Sequence, residues 1–314
     1  MSTARAAGAV LGGLAAAGVG ALAWSLVEAR WYTLREASVP VLPAGSEPLR
    51  ILQISDLHLT PSQADKVAWV RELDQLAPDL VVDTGDNWAH PEAMRPLLAA
   101  LEPLLARPGM FVMGSNDYIA PTFKNPARYL LPDARRAPKS EQRDLPWREL
   151  RARFKGAGWI DLDNQRDVVA AGGHRISLVG TNDAHLDLDW FPPPGGPDDV
   201  RGGGQPVDLH LGVTHAPYRR VLDAMHDDDV DLIIAGHTHG GQLALPFWGA
   251  LVTNCDLDTR RARGLHGWPG PRPDRPGGAG STWLHVSAGL GTSPYAPVRF
   301  ACRPEATLLT LTPA

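Results

Sequence analysis

Five short segments of the 314-residue chain carry the kinds of side chain that bind divalent metals in proteins. Two of these segments, "SDLH" and "GHTH", hold a pair of such residues two positions apart, and the others are "TGDN", "GSND" and "THAP". The seven candidate ligands are Asp56, His58, Asp86, Asn116, His215, His237 and His239. Imidazole combined with carboxylate or amide oxygen, without thiolate, suits Mn, Fe or Zn. The segments therefore predict a metal centre.

The number of candidate ligands favours two divalent ions. A tetrahedral ion takes four ligands, fewer than the chain offers. A pair of ions roughly 3.5–4 Å apart can activate a water molecule and neutralise the charge of a phosphate group. A carboxylate must bridge such a pair, and Asp86 is the natural candidate. With a bridging hydroxide as nucleophile, the predicted reaction is metal-assisted hydrolysis of a phosphoester.

The elements that carry these segments alternate between strand-like and helix-like patterns. Short apolar runs such as "RILQI", "DLVV" and "DLII" end just before the candidate ligands, and amphipathic stretches lie between several of them. This alternation predicts an α/β domain. Ligands of open α/β sheets collect beyond the carboxyl ends of the strands. In an extended backbone, the spacing of two would direct both members of each pair to one side.

The order D-x-H, G-D, a third polar motif, a lone histidine and G-H-x-H resembles the calcineurin-like metallophosphoesterases over residues 49–312. The N-terminal apolar segment, "GHTHGGQ", "GLGTS" and "PVRF" resemble its bacterial membrane-associated branch. The resemblance implies a four-layer α/β/β/α sandwich, in which two mixed sheets are flanked by helices. It also implies a first metal site and a second one that shares Asp86. The first would comprise Asp56, His58, Asp86 and His239, and the second Asp86, an amide oxygen from the third motif, His215 and His237.

The third motif departs from the family pattern G-N-H-[D/E]. The chain has "GSND" at 114–117, so Ser115 stands in the place of the asparagine and Asn116 in the place of the histidine that protonates the leaving group. We expect Asn116, rather than Ser115, to bind the second metal, because an amide carbonyl is the better neutral oxygen ligand. Asp117, or a loop histidine such as His90 or His185, could replace the missing proton donor, and the metal ions alone could suffice. Loss of a general acid typically costs about 10²–10⁴-fold in rate. The first hypothesis is a phosphoesterase, with Asn116 and Asp117 as catalytic candidates. The alternative is a non-catalytic metal-binding or docking protein with a degenerate third motif.

Three further residues carry weaker predictions. Asp183, in "GTND", is a candidate for holding the free ring nitrogen of a ligand histidine. Arg299, in "PVRF", is expected either to contact phosphate or to form a surface salt bridge. His285 lies within a strand pattern and is expected to be a packing residue.

The N-terminus predicts attachment to the cell membrane. Residues 6–27 contain no charged side chain, and a helix of that length would be about 33 Å long. That length crosses a hydrocarbon core of roughly 30 Å, so we expect one single-pass transmembrane helix. The predicted division is an anchor and linker over 1–48 and a catalytic domain over 49–314. A cleaved signal peptide, with "ALA" at 21–23 as its site, and a buried soluble helix are the alternatives.

The composition narrows the possible partners. The net charge of −5 provides no broad basic surface, so no nucleic-acid partner is expected. Cys255 and Cys302 form neither a disulfide framework nor a zinc motif. An anchor favours a substrate held at a membrane, and the family branch includes enzymes that act on a nucleotide-diphosphate lipid, UDP-diacylglucosamine. The expected substrate is therefore a phosphomonoester or phosphodiester, with a lipid-linked pyrophosphate as the finer hypothesis.

Overall fold

The computed structural model describes residues 3–123, 144–193 and 206–314. The six α-helices in these ranges are α1 Thr3–Glu28, α2 Ala64–Glu72, α3 Met94–Leu105, α4 Ser115–Tyr118, α5 Trp147–Gly156 and α6 Arg219–Asp227. The fourteen strands in the same ranges are β1 Thr33–Leu42, β2 Leu49–Ile54, β3 Leu80–Asp83, β4 Gly109–Phe111, β5 Ile160–Asp161, β6 Arg166–Ala171, β7 His174–Thr181, β8 Leu209–Thr214, β9 Leu232–Ala235, β10 Ala244–Leu245, β11 Gly249–Ala250, β12 Gly264–Trp268, β13 Thr282–Val286 and β14 Glu305–Pro313.

Twelve of these strands form two six-stranded mixed sheets. The first sheet has the order β1-β14-β2-β3-β4-β5, and the second has the order β12-β13-β9-β8-β7-β6. In the first sheet β2 to β5 run parallel, while β14 is antiparallel to β2. In the second sheet β7, β8, β9 and β13 run parallel, and β6 and β12 are antiparallel edge strands. The predicted α/β class with two mixed sheets is confirmed.

The two sheets pack face to face, and helices cover their outer faces. The core between the sheets contains apolar side chains from both of them, including Ile51, Val82, Leu211 and Ile234. On the outer face of the first sheet lie α2, α3 and α5, which contribute residues such as Val70, Leu97, Leu101 and Leu150. On the outer face of the second sheet lies α6, through Val221, Leu222 and Met225. The order of layers is therefore α/β/β/α, as the resemblance implies.

The N-terminal segment forms the helix α1, over Thr3–Glu28. Within the described residues, however, no helix is both long enough and apolar enough to cross a bilayer. The prediction of a transmembrane helix is therefore not supported. The segment is mostly alanine and glycine, and these side chains contribute far less hydrophobic free energy per residue than leucine or isoleucine.

The stretch expected to be a linker contains a strand. Over Thr33–Leu42, β1 lies parallel to β14, with Thr33 opposite Glu305 and an irregularity in the register between Pro40 and Leu42. The expectation of an irregular linker is therefore wrong for residues 33–42. The strand is hard to recognise because it lies at the edge of its sheet, where charged residues and proline are tolerated. It carries Arg35, Glu36 and Pro40, and only Val39 and Leu42 are buried.

A hairpin and the late strands complete the two sheets. Strands β6 and β7 form the hairpin, which turns at Gly172 and Gly173, both with positive φ. Strand β13 lies between β12 and β9 in the second sheet, and β14 lies between β1 and β2 in the first.

Candidate metal centre

The ends of five strands bring the predicted ligands to one place between the sheets. Asp56 and His58 follow β2, Asp86 follows β3, and Asn116 lies in α4 just after β4. From the second sheet, His215 follows β8, and His237 and His239 follow β9. Two overlapping groups have potential ligand atoms within 4.8 Å of one another. They are Asp56, His58 and His239, and Asp56, Asp86 and His215.

The backbone that presents these residues is sharply turned. Five of the seven candidates have positive φ, at values of 41–67°: Asp56, His58, Asp86, His237 and His239. This left-handed region is unfavourable for side chains other than glycine, and such strain concentrates at functional sites. The expectation of an extended backbone through the two pairs is therefore wrong. The side chains converge because the loops that follow β2 and β3 lie side by side, joined by bonds such as Asp56 N to Gly85 O (2.8 Å) and His58 N to Asp86 O (2.9 Å).

Two glycines leave the space that the cluster needs. A Cβ on Gly114 would lie 2.3 Å from Asp86 Oδ1 and 2.7 Å from the His215 ring. A Cβ on Gly236 would lie 2.0 Å from Ser55 Oγ and 2.8 Å from Asp56 Oδ2. These are distances that non-bonded atoms do not adopt, so the glycines of the G-S-N-D and G-H-T-H segments are required by close approach.

Three histidines each use one ring nitrogen to donate to a main-chain carbonyl. The Nδ1–H of His215 donates to Thr84 O (2.7 Å), and that of His239 donates to Gly291 O (3.1 Å). His237 has the opposite arrangement, with Nε2–H donating to Asn254 O (3.2 Å). In the neutral form that binds a metal, each imidazole carries one proton, so the other nitrogen of each ring is then an acceptor. These acceptor nitrogens, His215 Nε2, His239 Nε2 and His237 Nδ1, all face other candidate ligands.

The ring nitrogens and carboxylate oxygens that face one another are crowded. The Nε2 atoms of His58 and His239 lie 3.2 Å apart, and His237 Nδ1 lies 3.3 Å from His215 Nε2. Asp56 Oδ1 is buried without a hydrogen-bond partner among the described residues. Buried polar atoms are costly when unpaired, and lone pairs aimed at one point are what a cation requires. The donor set therefore fits divalent metal ions.

Burial and neighbouring charge set the protonation of the cluster. Burial lowers the pKa of His58 to about 4 and holds those of His237 and His239 well below the usual value. These rings are therefore neutral near pH 7, as metal ligands must be. Burial opposes ionisation of Asp86, but the neighbouring imidazoles, chiefly the His215 cation, and two hydrogen bonds from Asn116 hold the pKa of Asp86 below the usual range. Asp86 is thus an anion at the middle of the cluster.

The third motif places its two residues very differently. The main-chain N–H of Asn116 donates to Asp86 Oδ1 (2.7 Å), and its side-chain amide donates to Asp86 Oδ2 (2.8 Å). Asn116 is therefore at the cluster. Asp117 is fully buried, and its carboxylate accepts from the backbone N–H groups of Asp86 (2.8 Å), Asn87 (2.9 Å) and Gly114 (2.8 Å). That geometry fixes two ligand loops to each other and engages both carboxylate oxygens of Asp117.

Of the two histidines predicted as substitutes, only one lies at the cluster. The ring centroid of His185 is 4.7 Å from that of His237, and its Nδ1 is 2.9 Å from Tyr218 Oη. His90 is exposed at the start of a short 3-10 helix, where its Nδ1 accepts from Glu92 N (3.1 Å).

The three weaker predictions have mixed outcomes. Asp183 caps the 3-10 helix at 184–186 by accepting from His185 N (3.0 Å), and main-chain carbonyls hold the ligand rings instead. Arg299 is fully buried, so the surface salt bridge is wrong. His285 is confirmed as a packing residue, since it is buried and its Nδ1 lies 2.6 Å from Gln53 Oε1.

The sequence gives no signal for the groups that orient the rings. Thr84, Asn254 and Gly291 act through main-chain carbonyls, so their side-chain types are not constrained in a recognisable way. Buried Lys66 also holds a ligand loop in place. Its side-chain nitrogen donates to the carbonyl of Leu57 (2.7 Å), the residue between Asp56 and His58. Its position in an amphipathic helix pattern predicts a solvated cation.

Comparison with known proteins supplies a family. The family model described as calcineurin-like phosphoesterase matches residues 49–241. The chain is 24% identical over 299 residues to the uncharacterized metallophosphoesterase YkuE of Bacillus subtilis, covering 91% of this chain and 86% of YkuE. It is 27% identical to phosphodiesterase YaeI of Escherichia coli, covering 90% of each chain. It is 26% identical to UDP-2,3-diacylglucosamine pyrophosphatase LpxG of Chlamydia trachomatis, covering 83% of each chain.

Proposed function

The chain belongs to the calcineurin-like phosphoesterase family, a family of hydrolases, and from that membership we propose that it hydrolyses a phosphoester with two divalent metal ions. The ions, of the Mn, Fe or Zn type, would be held by the seven residues at the strand ends. The first site would comprise Asp56, His58, Asp86 and His239. The second would comprise Asp86, Asn116, His215 and His237.

The position of Asp86 is the observation that carries the proposal of two sites. Its Oδ2 lies 3.4 Å from His58 Nε2, and its Oδ1 lies 3.5 Å from His215 Nε2. The two histidines come from different sheets, so each carboxylate oxygen faces a different half of the ligand set. One carboxylate between two sets of imidazole nitrogens is the arrangement that suits a pair of cations.

When bound, a pair of divalent ions supplies Lewis-acid stabilisation of phosphate oxygens and lowers the pKa of a water molecule. The protein holds its ligands rigidly for this purpose. Ring nitrogens are fixed by carbonyls, Asp56 accepts from Ser55 Oγ and from His237 N (3.0 Å), and Asp117 ties the loop of Asp86 to that of Gly114. Such fixed partners reduce the reorganisation that the transition state would otherwise demand.

The leaving group needs a partner, because Asn116 cannot protonate it. We assign this contact to His185, the predicted substitute whose ring lies beside His237. Its bond with Tyr218 Oη fixes the ring orientation. Asp117 is unsuited to the role because three backbone N–H groups already engage its carboxylate.

For the substrate, we propose a phosphodiester or pyrophosphate with an apolar portion. The names of YaeI and LpxG, a phosphodiesterase and a pyrophosphatase of a diacylated sugar nucleotide, motivate this class. The hairpin of β10 and β11 begins five residues after His239 and exposes apolar side chains. They are Leu243, Leu245, Phe247, Trp248 and Leu251, with Phe247 and Trp248 more than 80% exposed. Acyl chains would find apolar contact there within reach of the cluster.

The test uses the purified chain, stripped of metal and reloaded with Mn²⁺, and chromogenic phosphomonoesters and phosphodiesters. We expect metal-dependent turnover, and we expect Asp86→Ala to lose both the turnover and the bound metal. His174→Ala is the matched control, because His174 is a buried histidine that binds Glu47 O (2.8 Å) away from the ligand loops. Unchanged hydrolysis by Asp86→Ala would refute the proposal. Metal binding without turnover on aryl esters or on a diacylated sugar nucleotide would favour a docking protein.

A further inference from the structure

A fully buried arginine lies beside the proposed first metal site. The guanidinium of Arg299 donates mainly to main-chain carbonyls, at 2.7–3.4 Å. The acceptors are the carbonyls of His239, Ala288, Gly289, Gly291 and Cys302. A buried cation is stable only when such groups replace its hydration. These five carbonyls belong to His239, to the segment 288–291 and to Cys302. Arg299 therefore joins segments that are distant in sequence.

One of these segments is the wall on which the loop of Asp56 rests. A Cβ on Gly289 would lie 2.6 Å from Asp56 Cβ, and a Cβ on Gly291 would lie 2.3 Å from Leu57 O. Leu290 N donates to Ser55 O (3.0 Å). The segment 288–291 is thus packed against the first metal-binding loop with no space between them.

The same segment orients His239. Gly291 O accepts from both Arg299 Nη2 (2.7 Å) and His239 Nδ1 (3.1 Å), while Arg299 Nη1 donates to the carbonyl of His239 itself (3.3 Å). Arg299 therefore fixes the ring's partner and the backbone that carries the ring. A histidine that donates through Nδ1 presents Nε2 to a metal, and the partner of the free nitrogen fixes both tautomer and ring angle.

We propose that Arg299 is a positioning residue for His239 and sets the affinity of the first metal site. This inference rests on the proposed function, since it assumes that His239 binds a metal ion. Arg299 does not touch substrate, because it is fully buried. Its own segment is held in place by α1. Arg299 N donates to Ser25 O (3.0 Å), and the Glu28 carboxylate accepts from Ala301 N (3.1 Å) and Cys302 N (2.7 Å).

Lysine is the informative replacement. An ammonium keeps the charge but lacks the planar fork, so it cannot reach acceptors on both sides at once. Arg166→Lys is the matched control. Arg166 is nearly buried and forms a two-pronged bond with Asp228 (2.9 Å for each), on the edge strand β6 rather than at the ligand loops.

The experiment titrates Mn²⁺ into metal-free wild type, R299K and R166K by calorimetry. We expect R299K to weaken one of the two binding events by about 10–100-fold, the usual effect of removing a group that orients a metal ligand. R166K should bind both ions as wild type does. In a His239→Ala background, R299K should add less than a threefold change, since the residue through which Arg299 acts has been removed.

Wild-type affinity in R299K, an equal loss in R166K, or a full additional loss in the His239→Ala background would each overturn the role of Arg299. Because R299K could fail to fold, a second measurement uses the wild type alone. Histidine ¹⁵N spectra of the Zn²⁺-loaded protein, assigned with His239→Gln, should show His239 protonated at Nδ1 and bound through Nε2, and binding through Nδ1 would overturn the proposal. A wild type that binds no divalent ion contradicts the proposed function itself.

Discussion

The contact between Asn116 and Asp86 can be turned into a test of the metal centre by the substitution Asn116→Asp. In the structure, Asn116 Nδ2 lies 2.8 Å from Asp86 Oδ2. An aspartate in the same rotamer replaces that donor with a carboxylate oxygen. Two carboxylates would then face each other in a buried position, which is unfavourable without a cation and favourable with one.

The size of the effect follows from the distance. At 2.8 Å and an effective dielectric constant of 20, the repulsion is about 6 kcal/mol. The pair can avoid it by binding a proton, which costs at most about 4 kcal/mol at pH 7 for a carboxyl with a normal pKa near 3.9. Burial opposes protonation of His215, but Asp86 and Asp56 raise its pKa to about 9. The protonated His215 ring therefore offsets part of the repulsion between the two carboxylates. The metal-free variant should lose about 2–4 kcal/mol of unfolding free energy at pH 7.

Thermal unfolding of metal-free and Mn²⁺-loaded protein measures the effect. The metal-free variant should melt about 4–8 °C below wild type, and saturating metal should remove most of that difference. The deficit should shrink by about 1.4 kcal/mol per pH unit on acidification toward pH 4, because the raised pKa of the pair makes the folded state take up a proton there. Asn164→Asp is the control, since the Asn164 amide bonds backbone groups of Asn182 (2.8 Å), Leu188 (3.0 Å) and Trp190 (3.0 Å). A deficit that metal does not remove would refute the reasoning.

Three further predictions follow from the site and the fold. Asn116→His restores the family's proton donor, so turnover on alkyl phosphoesters should be retained or raised, and steady-state kinetics that show a loss would argue against this placement. His185→Gln should reduce turnover on alkyl esters by about 10²–10³-fold while aryl esters, with their better leaving groups, change little; an equal loss on both would remove His185 from the leaving-group side. Burial lowers the pKa of His285 to about 3, and the neutral ring is hydrogen-bonded to Gln53. The folded protein should therefore lose stability as pH falls from about 6.5 toward 3, because only the unfolded chain protonates this histidine in that range. Urea denaturation of His285→Gln should show a flatter pH dependence over that window.

The sequence predicts the ligand set because strand ends are visible as apolar runs that stop at polar residues. The runs before Asp56, Asp86 and His237 are short and, apart from Arg50, buried in the structure, as parallel strands are. Once the strands are parallel neighbours, their carboxyl ends must meet at one edge. The convergence of the candidates therefore follows from topology, and the order of motifs supplies the topology.

The local geometry of the site could not be predicted in the same way. Positive φ at His58 and His239 is opposed by intrinsic preference and is imposed by tertiary contacts, so no local pattern reveals it. The carbonyls that orient the rings have no side-chain signature. Arg299 shows the same limit, since an arginine in sequence predicts an exposed cation, and only the fold shows five carbonyls around it.

The edge of the first sheet was mispredicted for a related reason. The pattern of β1 is not apolar enough to stand out, because an edge strand buries few side chains. Its pairing with β14 joins residues about 270 positions apart, Thr33 and Glu305, and such partners are not evident from composition. The N-terminal helix was predicted in position, while its proposed transmembrane character depended on a hydropathy that alanine and glycine do not provide.

The central claim is that the seven strand-end residues hold two divalent ions on either side of Asp86. The most direct measurement is a crystal structure of the Mn²⁺-loaded protein with anomalous difference maps. Two strong peaks roughly 3.5–4 Å apart are predicted, one beside His58 and His239 and the other beside His215 and His237. A single peak, or ions bound elsewhere with the cluster closed by its own hydrogen bonds, would contradict the claim.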